Sequence, residues 1–302
     1  MGANLKEVRE RITSVKSTQQ ITKAMKMVSA AKLRRAQQAI VQMRPYANKL
    51  NEMLRNILSN LEGGASTSFG VERPVKSALI VVVTSNRGLC GGFNTNIIKE
   101  AVKAMENEYA AVKEAGNLTV LCVGKKGYDV FKKEKGITLI TDYVDLFNDL
   151  SFDNVASVSN LMMEGFKSGK YDSIHVAYSM FKNAAMQFAQ LEQFLPVKKL
   201  EPTADTAGKK AKEHRADYIF EPSMEVLLER LVPSILQTTF QKYVLDTHAS
   251  EHGARMTAMD AATENAEDLI RDLKISYNKA RQEAITSEIS EIVGGAAALE
   301  GS

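Results

Sequence analysis

The sequence predicts an α/β domain with a mostly parallel, Rossmann-like sheet, inserted between two long terminal helices that pair as an antiparallel coiled coil. Three observations predict it. Both ends of the chain repeat apolar residues at alternating steps of three and four over lengths that no small globule contains. The middle alternates short β-branched runs with amphipathic stretches. The two ends also carry opposite charge: residues 1–60 hold six Lys and six Arg against Glu7, Glu10 and Glu52, a net of +9, whereas residues 217–302 hold seven basic and fifteen acidic side chains, a net of −8.

The first seam reads Leu5, Val8, Ile12, Val15, then Leu33, Ala36, Ile40, Met43, Ala47, Leu50, Leu54, Ile57 and Leu61. Between its halves the same positions are Gln19, Thr22, Lys26 and Ser29, while the apolar stripe shifts to Ile21, Met25 and Val28, so the seam is expected to face elsewhere there. Pro45 removes a backbone donor and predicts a bend with the helix continuing. Four strands follow: Ser77 to Thr84, Leu118 to Gly124, Ile137 to Thr141 and Ser173 to Tyr178. Crossover helices are expected over Thr95 to Glu114, Lys125 to Lys133 and Val155 to Lys167. Residues 201–216 hold no Val, Ile, Leu or aromatic residue and read as a mobile loop; Asp217 to Glu221 is a short extended piece. The second seam reads Leu245, Ala249, His252, Met256, Met259, Thr263, Ala266, Ile270, Leu273, Tyr277, Ala280 and Ala284, on a helix from Ser223 to about Val293 that Gly294-Gly295 is expected to end. At 1.5 Å per residue the two rods are roughly 85 and 100 Å long. The domain reading is therefore an N-terminal coiled-coil helix over 1–61, the α/β domain over 75–200, the loop over 201–216, and a strand with the long helix over 217–302.

Of 302 residues 44% are apolar and 25% charged, which is ordinary globular composition. The longest apolar run, Ala78 to Val83, falls far short of the roughly 18 residues a membrane helix needs, so membrane association is expected only through partners. Cys90 and Cys122 are too few for a disulfide framework and suit a reducing compartment. Glu7 and Glu10 interrupt the basic start, against a transit peptide, and Lys6 breaks the myristoylation pattern.

Several motifs suggest chemistry. Thr84 to Asn94 (TSNRGLCGGFN) joins a strand to a helix, where doubly wound sheets hold phosphate, yet it lacks the P-loop ending and the dinucleotide spacing of glycines. A tight structural or interaction loop is expected, and no cofactor. His248-Ala-Ser-Glu251-His252 matches H-x-x-E-H, but His252 lies on the seam and no third ligand is evident, so structural histidines are expected rather than a metal or catalytic site. His175 lies in a strand and His214 in the loop. Lys23, Lys26, Lys32, Arg34 and Arg35 lack interleaved aromatics and read as a solvated or protein-facing surface, not a nucleic-acid one. Asp142, Asp145 and Asp149 lack calcium-loop spacing and read as loop solvation and helix-start charges.

Ile21 to Lys32 (ITKAMKMVSAAK), Arg87 to Gly92 (RGLCGG), Ala254 to Thr263 (ARMTAMDAAT) and Tyr277 to Ala298 (YNKARQEAITSEISEIVGGAAA) closely resemble the γ subunits of F-type ATP synthases. The long cysteine-bearing insertion of the chloroplast version is absent, which argues against a plastid protein. The resemblance implies a non-catalytic rotor shaft that couples proton flow through the membrane c-ring to ATP synthesis or hydrolysis at the β subunits. Its partners would be α, β, ε and the c-ring, on the cytoplasmic face of a bacterial plasma (inner) membrane. It maps stator contacts onto Met25, Lys26, Arg281, Gln282, Thr286 and Glu288 and onto the loop from Arg87 to Cys90, and it maps foot contacts with ε and the c-ring onto Tyr218 and Phe220. The histidines at 248 and 252 depart from the family pattern. The competing readings are a Rossmann-like nucleotide-binding enzyme with helical arms and a basic coiled-coil nucleic-acid binder; both leave the terminal motifs unexplained.

Overall fold

A computed structural model describes residues 5–59, 68–197 and 224–300; Leu61, residues 201–216, the extended piece at 217–221 and the side chains of Leu54 and Ile57 lie outside the described set. The elements run α1 (Leu5–Ser59), β1 (Ala78–Val83), α2 (Phe93–Asn107), α3 (Ala110–Glu114), β2 (Leu118–Val123), α4 (Lys125–Phe131), β3 (Ile137–Ile140), a 3-10 turn (Leu146–Asn148), α5 (Phe152–Lys167), β4 (Ser173–Phe181), β5 (Gln187–Leu195) and α6 (Met224–Glu300). They divide into two compact units, residues 31–254 and residues 1–30 with 255–302.

The larger unit is organised by one sheet in the order β3-β2-β1-β4-β5. β1 pairs parallel with β2 and β4, β2 parallel with β3, and β5 antiparallel with β4. Every residue of β1 (ALIVVV) and β2 (LTVLCV) is buried, because helices cover both faces of a parallel sheet and leave no wet side for polar alternation. On one face Ile80, Val82, Val120 and Cys122 meet Phe93, Ile97 and Ala101 of α2 and Phe131 of α4. On the other, Leu79, Val81, Leu121 and Val176 meet Val158, Met162 and Phe166 of α5 and Leu236, Phe240 and Val244 of α6. Leu33, Ala36, Ile40 and Leu50 of α1 are buried as the seam predicts. A recess of about 240 Å³ between Ala47 and Leu50 of α1, Glu192 of β5, and Ile235 and Tyr243 of α6 marks where the helix passes. Asp149 accepts from the Ser151 amide at 3.0 Å and the Asn154 side chain at 2.6 Å, which fixes the entry to α5.

In the smaller unit the two terminal helices run antiparallel. Partner numbers fall on α6 as they rise on α1: Arg9 donates to the Tyr277 hydroxyl at 2.8 Å, Thr22 shares a hydroxyl bond with Thr263 at 2.8 Å, and Lys26 pairs with Asp260. Val8, Met259, Ala266, Ile270 and Leu273 form its buried apolar positions.

Four expectations need correction. The seam does not turn away at Gln19 to Ser29. Thr22 and Ser29 are buried, while Ile21 and Val28 are exposed, so polar side chains continue the seam in place of apolar ones. Gly294-Gly295 does not end α6, which runs to Glu300. Two helical glycines weaken a helix by about 1 kcal/mol each relative to Ala but do not stop it without a left-handed residue, and Ala296 to Leu299 are strong helix formers. Pairing on α6 fades at Ala280, so Ala284 is exposed rather than in the seam. Finally, the expected helix from Thr95 to Glu114 is two, because α2 stops at Asn107 and Tyr109 turns inward to the core.

Candidate functional site

The loop between β1 and α2 is tied down by its own polar side chains. The Ser85 amide donates to Asn94 Oδ1 at 3.0 Å, Asn94 Nδ2 donates to Ser85 Oγ at 2.8 Å and to Cys90 Sγ at 3.2 Å, and Ser85 Oγ donates to the Arg87 carbonyl at 2.7 Å. Cys90 is 2% exposed and serves as an internal anchor, whereas Arg87 and Leu89 point outward. Leu89, 65% exposed, has φ of 63°, a left-handed conformation that a branched side chain adopts only where its surroundings impose it.

The same loop is also tied sideways to the next strand–helix junction, between β2 and α4. The first three amides of α4 all have acceptors from it: Lys125 donates to Asn86 Oδ1 at 3.1 Å, Lys126 to the Ser85 carbonyl at 3.1 Å, and Gly127 to Thr84 Oγ1 at 2.8 Å. At Gly124, with φ of 98°, a Cβ would lie 2.0 Å from the Thr84 carbonyl oxygen, so only glycine lets the two segments approach. The start of α4 is thereby closed by the neighbouring loop.

In the smaller unit, Met25 and Lys26 sit at the edge of the paired face, with Lys26 bonded to Asp260, while Ile21, Met27 and Val28 are exposed beside them. Arg281, Gln282, Thr286 and Glu288 are all exposed on the stretch of α6 beyond its last paired residue. Thr286 Oγ1 donates back to the Gln282 carbonyl at 2.9 Å. Ile285, Ile289, Ile292 and Val293 recur there at helical spacing and are exposed, Ile289 by 56%. A stripe of this kind marks a surface made for a partner. Tyr218 and Phe220 lie outside the described residues.

In the larger unit, α6 is clasped to the β4–β5 hairpin by groups that the sequence did not single out. Glu192 accepts from Tyr178 at 2.8 Å and from Tyr243 at 2.6 Å, and the two rings stack with centroids 4.2 Å apart. Burial and the facing carboxylate push both phenols well above their ordinary range, so they remain donors. Beside them burial pushes the Asp246 carboxyl up to about 6, against the pull of Lys242 and Arg44 and with help from Glu192. Burial alone pushes the Cys122 thiol up to about 12, which makes it inert. No simple signal in the sequence exposes the clasp, since Tyr243 and Asp246 stand among other polar residues, Gln241, Lys242, Thr247 and His248. His175 is enclosed, its Nδ1 2.7 Å from the Tyr109 hydroxyl, and His248 and His252 bring their Nε2 atoms to 3.1 Å. Among the described residues, no group of three or more His, Cys, Asp and Glu could hold a metal ion, and no helix is long and apolar enough to cross a membrane.

A family model described as ATP synthase matches residues 4–299. The ATP synthase gamma chain of Cytophaga hutchinsonii is 52% identical over 296 residues, covering 98% of this chain and 99% of that one. The ATP synthase gamma chain of Flavobacterium psychrophilum is 52% identical over 299 residues, covering 99% and 100%. Among solved structures, a chain from Euglena gracilis mitochondrial ATP synthase in rotational state 3 superposes with a TM-score of 0.64 at 23% identity, covering 98% of this chain and 94% of that one. At that identity the likeness speaks for the fold.

Proposed function

The chain belongs to the ATP synthase family, among its gamma chains, and from that premise we propose that it turns as the central shaft of the complex and carries no catalytic site of its own. The observation that supports this most is the bare end of α6, where Ile285, Ile289, Ile292 and Val293 stand in solvent on a helix that has outrun its partner. Such a stripe fits a hydrophobic sleeve formed by a ring of α and β subunits. Polar groups beside it, Arg281, Gln282, Thr286 and Glu288, with Met25 and Lys26 on α1, would contact that ring and make its energy depend on angle. Arg87 would reach β from a loop that Cys90 holds in shape. Tyr218 and Phe220 would meet ε and the c-ring, placing the protein at the cytoplasmic face of a bacterial inner membrane without a span of its own.

Because one asymmetric shaft faces several equivalent catalytic sites, each site meets a different side of it. Rotation changes their affinities only through the difference in contact energy between orientations. The shaft reading therefore asks nothing of the loop after β1 except shape, in keeping with the Ser85, Asn94 and Cys90 bonds that hold it.

The test is the double variant Arg281→Ala with Gln282→Ala. Both side chains are exposed, so the fold should change by less than about 0.5 kcal/mol. Reconstituted with α and β at normal stoichiometry, the variant should show lowered ATP hydrolysis and lowered proton-driven synthesis. Unchanged rates in both directions would remove these residues from coupling, and failed assembly would make them structural.

A further inference from the structure

His248 and His252 lie one turn apart on α6, and turning a shaft uses neither. Their Nε2 atoms face each other at 3.1 Å, with ring centroids 4.6 Å apart and planes crossing at 76°. His252 is 4% exposed; His248 is half-buried, and its ring stacks on Phe147 at 5.9 Å. Two imidazole nitrogens this close cannot both carry a proton toward each other, so the gap holds one shared hydrogen or one cation.

The distance suits a metal ion. Imidazole nitrogen binds zinc at about 2.0–2.1 Å, so two nitrogens 3.1 Å apart subtend about 100° at a shared ion, between the octahedral and tetrahedral angles. Spacing of four residues on a helix puts both rings on one face, and burial with the Phe147 stack has already fixed their orientation, so binding loses little further side-chain freedom.

We propose that His248 and His252 form a bidentate site for a late first-row divalent cation: zinc, nickel or copper. Neutral imidazoles favour these ions, whereas magnesium and calcium require oxygen ligands. Water completes the shell, since no third His, Cys, Asp or Glu joins the pair among the described residues. The half-buried side of His248 is the way in. Two ligands make an open, exchangeable site that clips one turn of α6 and performs no chemistry.

The probe is copper alone, titrated into the full-length chain and followed by electron paramagnetic resonance. A single tight equivalent should appear, with splitting from two imidazole nitrogens. His248→Gln and His252→Gln should each weaken binding by roughly tenfold or more, because a chelating pair becomes a single ligand. His175→Gln should leave it unchanged. Circular dichroism checks the helix content; if His252→Gln does not fold, His248→Gln decides, since that ring is partly in solvent already. Unchanged affinity in His248→Gln, or a wild-type signal with fewer than two nitrogens, overturns the proposal.

Discussion

The strands of the larger unit and the paired helices of the smaller one bury apolar surface in different ways. Around β1 every side chain is enclosed from both faces of the sheet, and the two flanking clusters draw on five of the six helices. In the paired helices the buried strip is a single row, Val8, Met259, Ala266, Ile270 and Leu273, and the residues beside it, Ile21, Val28 and Ile275, stay in solvent. Thr22 with Thr263 replaces an apolar pair in that row, and Lys26 pairs with Asp260 along its edge. The difference separates stability from recognition: the enclosed core holds itself together, and the thin seam leaves apolar surface unmatched within its own unit.

The contrast is open to test. Phe240 is fully enclosed and meets Phe194 edge-on at 6.1 Å, so Phe240→Ala should destabilise the larger unit by about 4 kcal/mol in chemical denaturation. A loss below about 1 kcal/mol would mean that the enclosed core is not what holds that unit. In the seam, Leu273→Asp places a carboxylate between the helices and should weaken the pairing by about 3 kcal/mol, less than a core deletion because the site borders water. Thermal melting and assembly with α and β would both register it; normal behaviour in both would mean the pairing is misplaced.

The smallest effect depends on pH. Asp246 titrates at about 6 in the fold, above its usual value of about 3.9, so the folded state holds the proton more tightly than the unfolded one. Stability from this group therefore rises as pH falls from about 6 toward about 4, and the full penalty of the buried charge is present above 6. Asp246→Asn should raise stability by about 2 kcal/mol near pH 8 and change little near pH 4, read from urea curves at the two values. An equal effect at both would show that Asp246 is not the group that titrates.

Much of the fold was legible because burial writes continuous apolar runs into parallel strands, as in ALIVVV and LTVLCV. β5 was not, because QFAQLEQFL is a half-buried edge strand whose glutamines and Glu192 break any simple pattern. Antiparallel pairing with β4 also needs no crossover helix to announce it. The stretch from Gln19 to Ser29 was misread for a related reason: apolar periodicity finds a seam made of oil, whereas Thr22 and Lys26 meet their partner helix by hydrogen bonds and Ser29 is buried with its hydroxyl turned back to the Met25 carbonyl of its own helix. Of the candidate surface, exposure beyond Ala280 was implicit in a helix longer than its mate. The buried anchor role of Cys90 needed coordinates, since a cysteine's partners are not written in its neighbours.

The three bonds that fasten Thr84, Ser85 and Asn86 to the start of α4 have a mechanical corollary. A loop hinged at its two ends bends when its tip is pushed. This one is riveted sideways as well, so a push on Arg87 or Leu89 travels into β1 along the chain and into α4 across it. Deflection of the tip then requires two elements of the sheet layer to shear together, which makes the loop a stiff tooth rather than a compliant finger.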